Sequence, residues 1–299
     1  MRRAVFIFAA AVQFAEAPAA SRSVAQDGGA ASAISNRNAV PRRERFSAAC
    51  ELQSGGESAV VAVLPPQTLR LSDGRFVRLA EILVPATAGY GIRFDASSAS
   101  ADYLRKEALG KRVEIKFGGM QRDRYGVFVA HVYVKGQQDI WLQQGLVNAG
   151  LATVYPQSDN HSCSEKLFPA EIEARENKRG NWGLALFKVL NAAEPKSILN
   201  LVQTYQIVEG KVHSASSSGS RFTLSFGKTP KRDFAVIVES GARTKLLPDK
   251  DAQTLPGATM RLRGWIDRKS GPFMSIALPE QVEIVTQPHP QAKIPPEQR

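Results

Sequence analysis

The stretch Leu69-Arg70-Leu71-Ser72-Asp73-Gly74-Arg75-Phe76-Val77-Arg78-Leu79 alternates apolar and polar residues on both sides of Ser-Asp-Gly-Arg. Period-two alternation puts one face of each flank in a core. Asp-Gly between the flanks signals a tight hairpin, because glycine tolerates positive φ. Working outward, Ala99 to Leu109 reads as a short helix, capped by Ser97 or Ser98 and ended by Gly110. Val113–Phe117 and Val127–Val134 alternate as half-buried strands, the second following the turn Arg124-Tyr125-Gly126. Trp141–Ala149 reads as a helix stopped by Gly150, and Pro169–Arg179 as another, with Pro169 in its first turn and Gly180 past its end. Short strands around Val60–Val63 and Ala152–Tyr155 can pair with the others. The order suits a mainly β fold with α, a small five-stranded barrel carrying three helices.

Residues 185–202 read as a connector. A second β-rich block spans 203–286, with strands near Gln206–His213, Arg221–Phe226, Asp233–Val238, Thr259–Ile266, Phe273–Ala277 and Gln281–Val285. Short strands broken by Ser/Gly runs, Pro256-Gly257 and Ser270-Gly271-Pro272 predict a second small OB-like β-barrel, with an antiparallel sandwich as the alternative. The Pro- and Gln-rich residues 287–299 read as a disordered tail.

The N-terminus, Met1-Arg2-Arg3, runs into an apolar segment and then Ala17-Pro18-Ala19. A positive start, a short apolar centre and a small-residue exit describe a signal peptide over 1–20. Residues 21–49 are polar, basic and aperiodic, a flexible linker. The expectation is a periplasmic or secreted protein with no transmembrane segment in the mature chain. Two cysteines, Cys50 and Cys163, then suggest one disulfide; two buried thiols, or a metal site using His161, are the alternatives. The formal net charge of +11 over 299 residues favours polyanionic partners.

From Val60 to Trp182 several pieces come in an order that resembles the staphylococcal nuclease (thermonuclease) family, so that a domain over 50–184 is expected. They are the hairpin, then Val77-Arg78-Leu79-Ala80-Glu81-Ile82-Leu83-Val84-Pro85, then Asp123-Arg124-Tyr125-Gly126, then Gly150-Leu151-Ala152, then Arg179-Gly180-Asn181-Trp182. The resemblance implies an OB-type barrel. It also implies phosphodiester hydrolysis with calcium, two arginines and a glutamate.

Those groups have physical reasons. Calcium takes several hard oxygen ligands and polarises a phosphate oxygen. Guanidiniums fork onto phosphate and stabilise growing charge. A glutamate orients or deprotonates water. Against the family pattern, Gln67 and Leu83 replace the metal aspartates, Ala86 the glutamate and Val127 the second arginine, while Arg78 keeps the first. Phosphate- or nucleotide-binding candidates are Arg78, Arg124, Tyr125 and Tyr155. No metal ligand and no cofactor are expected, calcium entering only if Glu81, Asp95 or Asp123 substitutes for the lost ligands. Tyr125 and the tryptophans Trp141, Trp182 and Trp265 read as packing residues. The reading is a catalytically impaired nuclease relative that binds single-stranded nucleic acid or another polyanion. A calcium-dependent nuclease with relocated ligands and an envelope scaffold protein are the alternatives.

Overall fold

The computed structural model describes residues 50–85, 95–184, 187–218, 221–229, 231–246 and 254–286. The expected signal peptide, linker and tail, and Ala86, lie outside the described residues.

The N-terminal part runs β1 (Gln53–Leu64), β2 (Thr68–Leu71), β3 (Phe76–Leu79), β4 (Ile82–Leu83), α1 (Ala96–Ala108), β5 (Arg112–Phe117), β6 (Phe128–Val134), β7 (Ile140–Trp141), α2 (Leu142–Asn148), β8 (Thr153–Val154) and α3 (Ser164–Glu176). β1 pairs antiparallel with β2 and β5, β2 with β3, and β5 with β6, while β3 lies parallel to β6. That circuit closes a five-stranded barrel. The hairpin alternation holds: Leu69, Leu71, Val77 and Leu79 are all buried, so the odd positions face the core. Each such side chain contributes about 1.5–3 kcal/mol by burial. β1 is longer than the four residues expected, because register shifts near Ser54–Glu57 and Val60–Ala62 let one strand serve both neighbours.

Three local expectations are corrected. The cap of α1 is Asp95, whose Oδ1 accepts the Ser97 N–H at 3.0 Å, not Ser97 or Ser98. Thr153–Val154 pairs with Ile82–Leu83 in a separate ribbon, outside the barrel. Pro169 lies inside α3 rather than in its first turn. The start of α3 comes earlier because a remote carboxylate serves it. Glu81 accepts the Cys163 N–H at 3.1 and 3.2 Å and the Ser164 hydroxyl at 2.6 Å. No nearby residue signals a cap supplied from so far along the chain. Cys50 and Cys163 form the expected disulfide beside that cap, with Cα atoms 4.6 Å apart, which removes the free-thiol and metal alternatives. His161 instead places Nδ1 3.3 Å from Glu280.

The C-terminal part runs β9 (Leu190–Asn191), α4 (Pro195–Leu199), β10 (Tyr205–Lys211), β11 (Ser214–Ser218), β12 (Arg221–Ser225), β13 (Ala235–Val238), α5 (Ser240–Leu246), β14 (Thr259–Arg268), β15 (Pro272–Ile276) and β16 (Val282–Thr286). The sheet order is β11-β12-β13-β15-β14-β10-β9, with β16 also on β14. The long β14 pairs with β10 and β16 through its first half and with β15 at its far end, so the sheet curls like a barrel around Phe222, Leu224, Phe234, Met260 and Leu262. The segment read as a connector has structure of its own. Leu190 joins the sheet beside Val208, and Ile198 is buried in the same core. β11, Ser-Ala-Ser-Ser-Ser, reads as a turn because it lacks apolar alternation; β12 supplies its partner edge.

The two parts are bolted together by charge. Arg263 of β14 meets Glu171 of α3 through two bonds of 3.1 and 2.8 Å, with both side chains buried. The same guanidinium donates to the Val154 carbonyl and stacks over Phe168. Glu171 also accepts the Thr153 hydroxyl at 2.6 Å and the Val154 N–H at 2.8 Å. Burial alone raises the Glu171 pKa, but the Arg263 charge and hydrogen bonds outweigh it and hold the carboxyl below its ordinary value. Among the described residues no helix is long and apolar enough to cross a membrane.

Candidate functional site

Arg78 lies on β3 between the buried Val77 and Leu79, so strand alternation turns it out of the barrel. Next to it, the turn Asp123-Arg124-Tyr125-Gly126 is built by one carboxylate. Asp123 Oδ1 accepts the N–H groups of Tyr125 and Val127 at 2.9 and 3.0 Å, and Gly126 takes the left-handed φ of 77°. Asp123 Oδ2 pairs with Arg78 at 2.9 Å. Arg78 is thus oriented by Asp123. Val127, where the second arginine was expected, contributes its backbone N–H to the turn.

Arg78, Arg124 and Tyr125 line one open cleft of about 410 Å³ with Arg122, Asp159 and Asn160. Arg122 lies 3.8 Å above the Phe128 ring and donates to the Gly126 carbonyl, while Arg124 stacks at 4.9 Å on Tyr125. Tyr125 is 73% exposed, so it is not the packing residue expected. An exposed ring beside guanidiniums offers a base a stacking face and a phosphate a cation. Three guanidiniums against the two carboxylates Asp123 and Asp159 leave the rim net positive.

Tyr155 is not part of this cleft. It packs edge-on against Tyr205 of β10 at 4.8 Å, and its hydroxyl accepts the Trp265 indole N–H at 3.3 Å. Trp265, expected in a core, is 48% exposed. Sequence reasoning missed both because their neighbours come from the other half of the chain.

Calcium needs several hard oxygens, chiefly carboxylates. Gln67, where the first metal aspartate would be, is buried and committed to backbone. Its Nε2 donates to the carbonyls of Leu79 and Ile82 at 3.1 and 2.9 Å, and its Oε1 accepts the Val84 N–H at 2.9 Å. Leu83, where the second would be, has no ligand atom and lines an apolar pocket. The substitutes do not converge either. Glu81 points at α3 and lies 3.2 Å from His131, Asp95 caps α1, and Asp123 holds Arg78. Burial pushes the Glu81 pKa up, but bonds from His131, Ser164 and Cys163 bring it below its ordinary value. Glu81, His131 and Cys163 have potential ligand atoms within 4.8 Å of one another, yet the sulfur is spent in the disulfide. The described residues at this barrel mouth do not fit the ion.

The closed barrel agrees with the comparison to known families. A sequence model described as staphylococcal nuclease homologue matches residues 76–183, from β3 to the turn after α3. A search of curated proteins finds no match. Phe76 to Gly183 is therefore a domain of the staphylococcal nuclease homologue family.

Proposed function

We propose that this nuclease-family protein works outside the cytoplasm, binding single-stranded nucleic acid or another polyanion, with family-type cleavage reduced to near background. One observation carries the reading: Gln67 is neutral and tied by three backbone hydrogen bonds where a metal carboxylate is needed, while Arg78, Arg124 and Tyr125 still face an open cleft. Removing one charge-stabilising donor alone costs on the order of 10²–10³ in rate. Several such groups are replaced here, and binding needs only the arginines and the ring. The disulfide supports an oxidising compartment.

The test is fluorescence anisotropy with a labelled single-stranded DNA oligomer, alongside a digestion assay with and without calcium. With about three phosphate contacts, affinity should fall roughly twenty-fold for a fourfold rise in salt. Tyr125→Ala should weaken binding by about 1–3 kcal/mol through lost stacking. Salt-independent binding, or no binding, refutes the reading, and calcium-dependent release of nucleotides refutes the loss of catalysis.

A further inference from the structure

In the C-terminal sheet β13, β15 and β14 are neighbours, and Val236, Met274 and Ile266 point into the core. Strand alternation puts Trp265 and Phe273 on the opposite, outer face. The register sets Phe273 across from Asp267, which makes it the diagonal neighbour of Trp265, ~7–8 Å away along the sheet. The indole is held in place from the side. Its N–H donates to the Tyr155 hydroxyl at 3.3 Å, and Tyr155 and Tyr205 meet it at steep ring angles. About half of Trp265 and part of Phe273 stay open to water.

Two turns meet at the end of this face. β13 and β15 run parallel, so the loop entering β13 and the hairpin entering β15 lie at the same end of the sheet. They press together at Gly271, where a Cβ would lie 3.0 Å from the Arg232 carbonyl. The loop carries Lys228, Lys231 and Arg232, and the hairpin carries Arg268 and Lys269, all exposed. The nearby carboxylates serve the backbone. Asp233 Oδ2 accepts the Thr229 N–H at 2.8 Å, and Asp267 Oδ1 accepts the Arg268 N–H at 2.6 Å. Elsewhere exposed cations such as Arg75, Arg105 and Lys135 each hold a carboxylate. Among the described residues none of these five cations does.

We infer that this face is a second surface for single-stranded nucleic acid, with bases stacked on Trp265 and Phe273 and the adjoining phosphates on the cations of the two turns. The class of occupant rests on the reading given for the arginine cleft, but the surface makes no use of Arg78. A single strand presents unpaired flat faces and phosphates together, which aromatic rings beside cations answer at once. A duplex keeps its base faces inside its own stack. An anionic bilayer would meet the turns alone, and residues 227–233 and 268–271 include no aromatic, Leu, Ile, Val or Met to enter it. The two surfaces also share one loop. Tyr155 holds Trp265, while Gln157, Asp159 and Asn160 line the cleft, so one strand can engage both.

The experiment titrates the full disulfide-bonded chain with a labelled oligothymidylate of about 20 nucleotides, longer than one OB-type site. Reversing three exposed charges, Lys231→Glu, Arg268→Glu and Lys269→Glu together, should weaken binding about tenfold and flatten its salt dependence. Trp265→Leu should weaken it about fivefold or more through lost stacking. Both chains must melt with the parent; Phe273→Ser takes the place of Trp265→Leu where that one does not. Iodouracil in the oligomer, photocrosslinked and mapped by peptide mass spectrometry, should mark Trp265 or Phe273. The charge-reversal loss should persist in an Arg78→Ala chain. An Arg78→Ala chain that binds like the parent, with the charge-reversal variant impaired, refutes the cleft and leaves this surface standing. Parental affinity in the charge-reversal variant overturns the inference. So does an electrostatic loss shared equally with heparin and untouched by Trp265→Leu, or tighter binding to phosphatidylglycerol vesicles than to the oligomer.

Discussion

Replacing Arg263 by alanine strands a buried anion. Glu171 would lose two charge-assisted bonds, of 3.1 and 2.8 Å, in a place with no exposure to water. Breaking one partner out of a buried pair costs about 3–5 kcal/mol. Glu171 keeps the Thr153 and Val154 bonds, and the Arg175 guanidinium remains 3.8 Å away, so the lower end applies, about 3 kcal/mol. At ~2–4 °C per kcal/mol for a chain of this size, Arg263→Ala should melt roughly 6–12 °C below the parent. Thermal melts at neutral pH under oxidising conditions measure it. Adding Glu171→Gln removes the stranded charge but keeps its hydrogen-bonding shape, so the double variant should recover about 1–2 kcal/mol. The pH dependence has a definite sign. The folded pKa of Glu171 is lowered, so its contribution is full above the ordinary value of 4.5 and is lost as pH falls through the folded value. The gap between parent and Arg263→Ala must therefore narrow in acid. A single variant melting within about 2 °C of the parent, or a double variant less stable than the single one, refutes the claim that this pair joins the two halves.

Two further outcomes follow from the cap on α3. Glu81→Gln should cost about 2–4 kcal/mol at pH 7, since a buried charge-assisted cap is replaced by a neutral one. Because the folded Glu81 pKa is lowered, denaturant titrations should show that deficit shrinking as pH falls below 4.5; a deficit constant with pH would contradict it. Cys50→Ser with Cys163→Ser removes a closure spanning 113 residues, worth about 4–5 kcal/mol in the chain-entropy account. A double-serine chain with an unchanged urea midpoint would show that the bridge contributes nothing to equilibrium stability.

The barrel was legible because its signals are local. Leu69, Leu71, Val77 and Leu79 alternate on either side of Asp-Gly, and the buried pattern repeats that alternation. The second sheet was legible strand by strand, except at Ser214–Ser218, where both faces are polar, and at Leu190–Asn191, too short to show a period. The site was legible in part. Sequence placed Arg78, Arg124 and Tyr125 in motifs, and the fold gathers them at one cleft. What escaped were contacts between distant segments: Glu81 at the start of α3, Arg263 on Glu171, and Tyr155 turned toward Trp265. Charge and aromaticity name a residue's capacities, but its partner is chosen by topology, which no short window contains.

The bonds around residues 79–84 carry a consequence for engineering. Gln67 fastens Leu79, Ile82 and Val84, and Glu81, at a left-handed φ of 60°, fastens the same segment to α3. Gln67 and Glu81 thus both act as tethers of this segment. Writing aspartates back at positions 67 and 83 would put one carboxylate against two backbone carbonyls and the other on an apolar wall. An ion site is therefore not built by changing those two positions alone, because position 67 already holds the backbone of residues 79–84 and position 83 faces an apolar wall.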